Sequence, residues 1–365
     1  MPDRAEQLLA ALLIEAAMGY PNALHRRVPH PVVWAGALIS TLERRWNGQH
    51  FSFDAQTSKR ESRWLPAFSG MTREQAKNRL AGVATIAILF LAATFFGLIL
   101  EHLFSGWPGV LLLILVATTG LAQKSLHDHV RAVAEPLLAG NIGEARTALS
   151  RIVGRDTTPL DESGIAAAAT ESLAESLGDG IVTPAFWFLV AGLPGIFVFK
   201  AVSTADSLIG HKDERYRHFG WAAARLDDVM NFVPARLSGL LLCLSSPSFL
   251  RRQGSGVFFS GGKGSGVPPC AGMTADATPR GAVHVMLRDA SKHLSPNAGW
   301  PEAAMAGALG VTLGGGANYD GEWIGRATLG DGPRPQPQDL ACALALYRRA
   351  CLLLWLIAGG LAWAL

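Results

Sequence analysis

Charge is scarce in this 365-residue chain: 17% of residues are Asp, Glu, Lys or Arg, and they nearly balance, leaving a formal net charge of +3. So small an excess, with no basic stripe interleaved with aromatics, argues against nucleic-acid binding. Cysteine is sparse too. Cys243, Cys270, Cys342 and Cys351 show no paired metal-ligand spacing, so buried thiols are expected in place of a zinc site or a disulfide framework. No internal repeat is present, and the first apolar stretch, LLAALLIEAAMG, carries Glu15 and lacks a basic leader, so no cleavable signal peptide is expected. The GGKGSG at 261–266 lacks the Lys followed directly by Ser or Thr that a P-loop needs. It sits in a Gly, Ser and Pro-rich stretch, 251–279, that reads as a flexible insertion, and 47–64 reads as a polar loop.

What the chain does have is apolar length. Hydrophobic residues make up 49% of it, above a typical soluble average. A bilayer core of roughly 30 Å takes about 20 apolar helical residues, and Ala81–Leu100, Leu103–Gln123 and Gly180–Phe199 are uncharged runs of that order. Cys351–Leu365 is a shorter one within a C-terminal membrane helix over 340–365. Only Glu101 and His102 separate the first two runs, which predicts a tight transmembrane hairpin over 81–123. Lys59, Arg60, Arg63, Arg73, Lys77 and Arg79 precede it, and Lys124, Arg131, Arg146, Arg151 and Arg155 follow it. Both its ends are therefore expected in the cytoplasm. If the third run crossed once, the basic block after Lys200 would lie outside. Pro184 and Pro194 interrupt regular helix, so this run is expected to dip into the membrane and return, as broken segments covered by protein do. The expected architecture is all-α: a polytopic integral membrane protein forming one domain over 1–365, with helical cytoplasmic segments at 124–179 and a charged cytoplasmic block at 200–236.

Two segments carry the polar chemistry. Thr158, Pro159 and Asp161 read as a helix start, and the helix should run to Gly178. At about 100° per residue, Glu171, Glu175 and Asp179 share an arc, opposite Ile165, Ala169, Leu173 and Leu177. A solvated face is the plain interpretation, but these acids end at the mouth of the 180–199 run, where an idle carboxylate is costly to desolvate. The 200–236 block holds Lys200, Asp206, Asp213, Glu214, Arg215, Arg225, Asp227, Asp228, Asn231 and Arg236. With 221–233 helical, Asp227, Asp228 and Asn231 share a polar arc opposite Leu226, Val229, Met230 and Val233. Surface ion pairs account for such a run; oxygen ligands for Mg2+ beside phosphate-neutralising cations account for it equally. A loop at 289–302, DASKHLSPNAGWPE, adds His293, Ser295, Asn297, Trp300 and Glu302.

These motifs, in order, carry a resemblance: PHPVVWAGALI at 29–39, IVGRDT at 152–157, ESLAESLGDGIVTPAFWF from 171, KAVSTADSLIGHKDERYRHFGWAAARLDD from 200, NFVPARL at 231–237 and HLSPNAGWPEAAMAGALGV at 293–311. The chain resembles the CobD/CbiB family, the adenosylcobinamide-phosphate synthases of cobalamin biosynthesis, over nearly all of 28–320 outside the insertion. The resemblance implies a multi-pass protein of the bacterial cytoplasmic (inner) membrane, its active site facing the cytoplasm. It further implies an ATP-dependent amide ligase that joins (R)-1-amino-2-propanol or its O-phosphate to adenosylcobyric acid, the corrinoid being a substrate. ATP as cosubstrate implies Mg2+, and other cobalamin-pathway enzymes are candidate partners in the lipid bilayer. The residues assigned to catalysis are Glu171, Glu175, Asp179, Lys200 and Asp227. Those assigned to substrate or ATP are Arg155, Asp206, Asp213, Glu214, Arg215, Arg225, Asn231, Arg236, His293, Ser295, Asn297 and Trp300. Asp227, Asp228 and Glu175 are assigned to metal. Ser176 and Ser203 stand where the family commonly has Asn, and Gly19, Tyr20 and Pro21 depart from its Gly-Asp-Pro. The competing interpretations are a membrane transporter, with charges beside a Pro-broken span lining a solute path, and a non-catalytic scaffold of the corrinoid pathway.

Overall fold

The computed structural model describes residues 3–19, 31–47, 71–106, 108–211, 213–246, 278–319 and 322–364. The expected polar loop at 47–64 and insertion at 251–279 lie almost wholly outside these, as do Tyr20, Pro21 and His30. The described residues form twelve α-helices and four very short strands: α1 (Arg4–Met18), α2 (Pro31–Trp46), α3 (Arg73–Leu103), α4 (Gly109–Thr118), α5 (Gln123–Leu138), α6 (Ile142–Leu149), α7 (Glu162–Leu177), α8 (Thr183–Ile209), α9 (Trp221–Leu244), α10 (Pro279–Asp289), α11 (Gly299–Leu309), β1 (Leu313–Gly314), β2 (Ala317–Tyr319), β3 (Glu322–Ile324), β4 (Thr328–Leu329) and α12 (Pro337–Ala364). The chain is an all-α membrane protein. Arg73–Leu103, Gly109–Leu138, Glu162–Ile209 and Pro337–Ala364 are long and apolar enough to cross a bilayer.

The helices divide into two compact units: Tyr20–Gly120 with Trp187–Met230, and Pro2–Gly19, Leu121–Phe186 with Asn231–Leu365. In the first unit, α3 opens on a capping box. The Thr72 hydroxyl accepts from Gln75 N at 3.3 Å, and Gln75 Oε1 accepts from Thr72 N at 3.0 Å. At about 1.5 Å per residue this helix is roughly 46 Å long, more than the hydrocarbon core requires. Leu91 and Phe95 are two-thirds exposed, as side chains that meet lipid would be.

The hairpin turn is not where the charges suggested. Glu101 and His102 lie inside α3, and the reversal falls between Leu103 and Gly109. The reason is that Glu101 turns inward: its Oε1 accepts the Leu193 N–H at 2.9 Å. Leu193 is the first residue after a break in α8, where Gly192 has φ 67° and ψ −147°, a left-handed φ that glycine adopts without steric penalty. The expected break is therefore present, with Gly192 at its centre beside Pro194. After the break α8 runs for about 26 Å, short of the roughly 30 Å core, whereas before it the helix is continuous with α7 through the Gly178–Val182 turn. Gly97 of α3 allows the close approach, since a Cβ there would lie 2.5 Å from Pro194 N. Ile39, Ile86, Leu89, Ala205, Ile209, Phe219 and Ala223 form a core beneath.

In the second unit, Gln123 joins three helices. Its backbone N–H donates to Glu15 Oε2 at 2.7 Å, its carbonyl accepts from Tyr347 Oη at 2.8 Å, and its Oε1 accepts from Trp355 Nε1 at 2.9 Å. The expected helix after Ala122 is present with Pro136 inside it, and Leu126, Val130, Val133 and Leu137 are buried. The C-terminal helix begins earlier than its apolar run, at Pro337. Its first half is buried and its last turns expose Leu356, Ile357, Leu361 and Trp363. Cys243 and Cys351 are buried free thiols, as expected. Cys342 is disulfide-bonded and not a free thiol.

Two helix-level expectations are corrected. The N-cap of α7 is Asp161, whose carboxylate accepts from Gly164 N at 2.7 Å, so the helix starts at Glu162 and not at Pro159. In α9 the predicted apolar face is only partly buried. Val229 and Val233 are exposed while Asn231 is buried, because Asn231 Oδ1 accepts a hydrogen bond from Thr183 Oγ1 at 2.7 Å.

Candidate functional site

The second unit gathers an ionic cluster from four places in the chain. Helix α7 contributes Glu171 and Glu175, the turn before α7 contributes Arg155, the 293–302 segment contributes His293 and Glu302, and the link from β3 to β4 contributes Arg326. Glu171 is at its centre. Its Oε2 lies 2.5 Å from Arg155 Nη2 and 3.1 Å from Arg326 Nη1, while its Oε1 accepts the Gly314 N–H at 2.8 Å. Gly314 has φ 77°, so the strand pair β1–β4 aims its N–H at Glu171 through a conformation suited to glycine. The Glu171 carboxylate is thus held by two guanidinia and one amide, and the solvated acidic face expected for α7 is in part a buried ion cluster.

Arg326 also reaches the 293–302 segment. Its Nη2 donates to His293 Nε2 at 3.1 Å and lies 3.6 Å from Glu302 Oε2. Glu302 Oε1 lies 3.5 Å from His293 Nε2. Burial first, then repulsion from Glu171 and Glu175, pushes the Glu302 carboxyl well above the usual range. Burial and the Arg326 charge hold His293 below the ordinary imidazole range, so it is neutral. The side chains of Arg155, Arg326 and His293 are each 12% exposed, against 4% for Glu171 and 1% for Glu302. Two cations and an imidazole thus form a lip over two buried acids, and Glu175 is exposed beside them.

Asp289 fastens the loop that carries Arg326. Its carboxylate accepts from Arg288 Nε at 2.8 Å, Arg288 Nη2 at 2.6 Å, Lys292 Nζ at 2.6 Å and Gly330 N at 2.8 Å. These cations and the Gly330 N–H hold it well below the usual carboxylate range.

The remaining assigned residues fall into groups. Asp179 lies in a π-helical turn, Gly178–Val182, which replaces the continuous α-helix its arc assumed; such turns are common at functional sites. Ser295 accepts from Asn297 N and Ala298 N at 3.2 Å each, shaping the loop before α11. The Arg236 guanidinium lies 3.6 Å from the Phe232 ring centroid and 4.4 Å from that of Trp300, so the structure brings Arg236 and Trp300 together. In the first unit, Lys200 Nζ stands 5.7 Å from the Phe199 ring centroid, and Asp206 lies on the last turn of α8. Asp213 accepts from Tyr216 N at 2.9 Å, and Glu214 is exposed. Arg215 pairs with buried Glu43 at 2.7 Å, tying α2 to the 213–220 turn. Arg225 Nη1 lies 3.2 Å from Asp228 Oδ2.

Sequence reasoning gave no role to Arg326, Gly314 or Asp289, and noted Glu302 without assigning it. The signal for Arg326 was a single cation inside the glycine-rich GEWIGRATLG, past the last of the family motifs. No three His, Cys, Asp or Glu side chains among the described residues are grouped to hold a metal ion. Magnesium commonly takes only one or two carboxylates when substrate phosphates complete its shell, and Asp227 with Asp228 fits that donor chemistry.

The family described as "CobD/Cbib protein" matches residues 8–347. A protein of Rhodobacter capsulatus, named "Cobalamin biosynthesis protein CobD", is 44% identical over 97% of this chain and 96% of its own length. Proteins of the same name from Brucella anthropi and Rhizobium meliloti are 43% identical over 93% of this chain and 91% of their own, and 39% over 94% and 92%. No solved structure matches.

Proposed function

The chain belongs to the CobD/Cbib protein family, and from that premise we propose that it acts in cobalamin biosynthesis as an ATP-dependent ligase, joining (R)-1-amino-2-propanol or its O-phosphate to a carboxylate of adenosylcobyric acid. The observation that carries this reading is the Arg155, Arg326 and His293 lip over Glu171 and Glu302. A carboxylate is a poor electrophile, and phosphoryl transfer from ATP gives its oxygen a leaving group. The acyl phosphate so formed is an anion, and two fixed guanidinia suit it. The exposed Glu175 carboxylate suits the ammonium of the amino alcohol. Arg225 is assigned to ATP, Lys200 and Asp227 to catalysis, and Asp227 and Asp228 are residues that would hold magnesium, whose bound charge offsets that of the phosphates. The protein lies in the bacterial inner membrane with this site on the cytoplasmic side.

The test is direct. Detergent-purified protein is incubated with adenosylcobyric acid, magnesium ATP and each amino alcohol, and the corrinoid mass is followed. An amide product that is lost in Glu175→Gln supports the reading. Absence of product with either amine at high protein concentration refutes it.

A further inference from the structure

The geometry points to His293 as the group that takes the proton from the attacking amine, with Arg326 as the residue that releases it for the task. This rests on the ligase reading above. The argument starts from what faces each ring nitrogen. Nδ1 lies 3.0 Å from the Ser295 N–H and 3.3 Å from the Ser295 carbonyl. Nε2 lies 3.1 Å from Arg326 Nη2, which can only donate, and 3.5 Å from Glu302 Oε1. Each nitrogen therefore has one donor and one acceptor against it. A histidine kept for structure needs one fixed tautomer, whereas this ring has partners as either tautomer and, once protonated, an acceptor for both N–H groups.

The other groups of the lip fit this assignment. Guanidinium cannot accept a proton, so Arg155 and Arg326 are excluded. Glu171 is committed to three donors, and Glu302 is buried beneath. Glu175 is assigned to holding the ammonium of the amino alcohol. The charged groups around His293 are Arg326 from the β3–β4 link, Glu302 from α11 and, through space, Glu171 from α7.

In the ligand-free arrangement Arg326 donates to Nε2 and blocks it, with Nδ1–H directed at the Ser295 carbonyl. An anionic acyl phosphate draws Arg326 towards itself and frees the Nε2 lone pair, so the base is exposed only when its electrophile is present. The amine nitrogen then bonds to the acyl carbon, the carbon–oxygen bond to phosphate breaks, and phosphate leaves with that electron pair. The amino alcohol attacks as the free amine, its ammonium proton having passed to water, so one surplus proton remains on nitrogen after the bond forms; it passes to Nε2, and the imidazolium rests between the Ser295 carbonyl and Glu302.

Hydroxylamine separates the base from the rest of the machinery, because it attacks acyl phosphates without base assistance. We expect His293→Gln and His293→Ala to lower amide formation with aminopropanol by roughly 100-fold or more and to lower hydroxamate formation with hydroxylamine and magnesium ATP far less, so that the amide-to-hydroxamate ratio falls by at least about tenfold. In wild type, kcat for the amide falls with acid below the ordinary imidazole range, and in His293→Gln that limb is absent. Equal loss of both products in a folded variant, or retention of both, overturns the assignment. Where neither variant folds, Arg326→Gln decides: removing its charge moves the acid limb to higher pH, and an unmoved limb overturns the proposal. A wild-type protein that yields neither amide nor hydroxamate sinks the ligase reading itself, and this inference with it.

Discussion

Replacing Glu171 with Gln would remove the anion that two guanidinia share while leaving the shape of the site nearly intact. Glu171 meets Arg155 at 2.5 Å, Arg326 at 3.1 Å and the Gly314 N–H at 2.8 Å. Breaking a buried ion pair from one side costs about 3–5 kcal/mol, because the other charge stays desolvated and unopposed. Both arginines keep some contact with water, which places the expected cost near the lower end, about 3 kcal/mol. The amide NH2 adds a second penalty, since it must face one of three donors. If the lost stability is largely that of stranded cations, removing a cation as well should return part of it. Glu171→Gln combined with Arg326→Gln is then expected to be less destabilising than the sum of the two single changes by about 1–2 kcal/mol, within the usual coupling of contacting residues. The assay is a double-mutant cycle on detergent-solubilised protein unfolded with SDS. Additivity within about 0.5 kcal/mol, or a Glu171→Gln protein as stable as wild type, would refute the shared-anion account.

Two further outcomes are expected. Glu101→Ala leaves the Leu193 N–H uncapped at the Gly192 break and should cost about 0.5–2 kcal/mol, with Glu101→Gln milder because it keeps an acceptor; equal losses in thermal stability would argue against a capping role. The Asp289 clasp has a folded pKa depressed below its unfolded value, so its contribution is fully present above the unfolded pKa and is lost only as pH falls through the lower folded one. The stability gap between wild type and Asp289→Asn should therefore stay constant from about pH 7 to 5 and shrink only below about pH 4; a gap that closes between pH 7 and 5 would contradict the clasp.

The amino-acid sequence by itself determined the membrane character and the helical class, because an uncharged run such as Ala81–Leu100 has few other places to go. It also determined that α8 must break, since Pro194 cannot sit in a regular helix interior without cost, and it singled out Glu171, Glu175 and His293 as candidate site residues. Periodicity along one helix was less informative. It placed the α9 core face on Val229 and Val233, which are exposed, because helical phase says which residues share a face and not what that face meets. Only the tertiary structure decided that Glu101 caps a helix break at Leu193, across 92 positions. In the same way it joined Arg155, Glu171, His293, Glu302 and Arg326, drawn from separate elements of the chain, into one cluster. Charge pairing is a property of distance in space, and a local reading of the chain holds no information about which distant charge will answer a buried one.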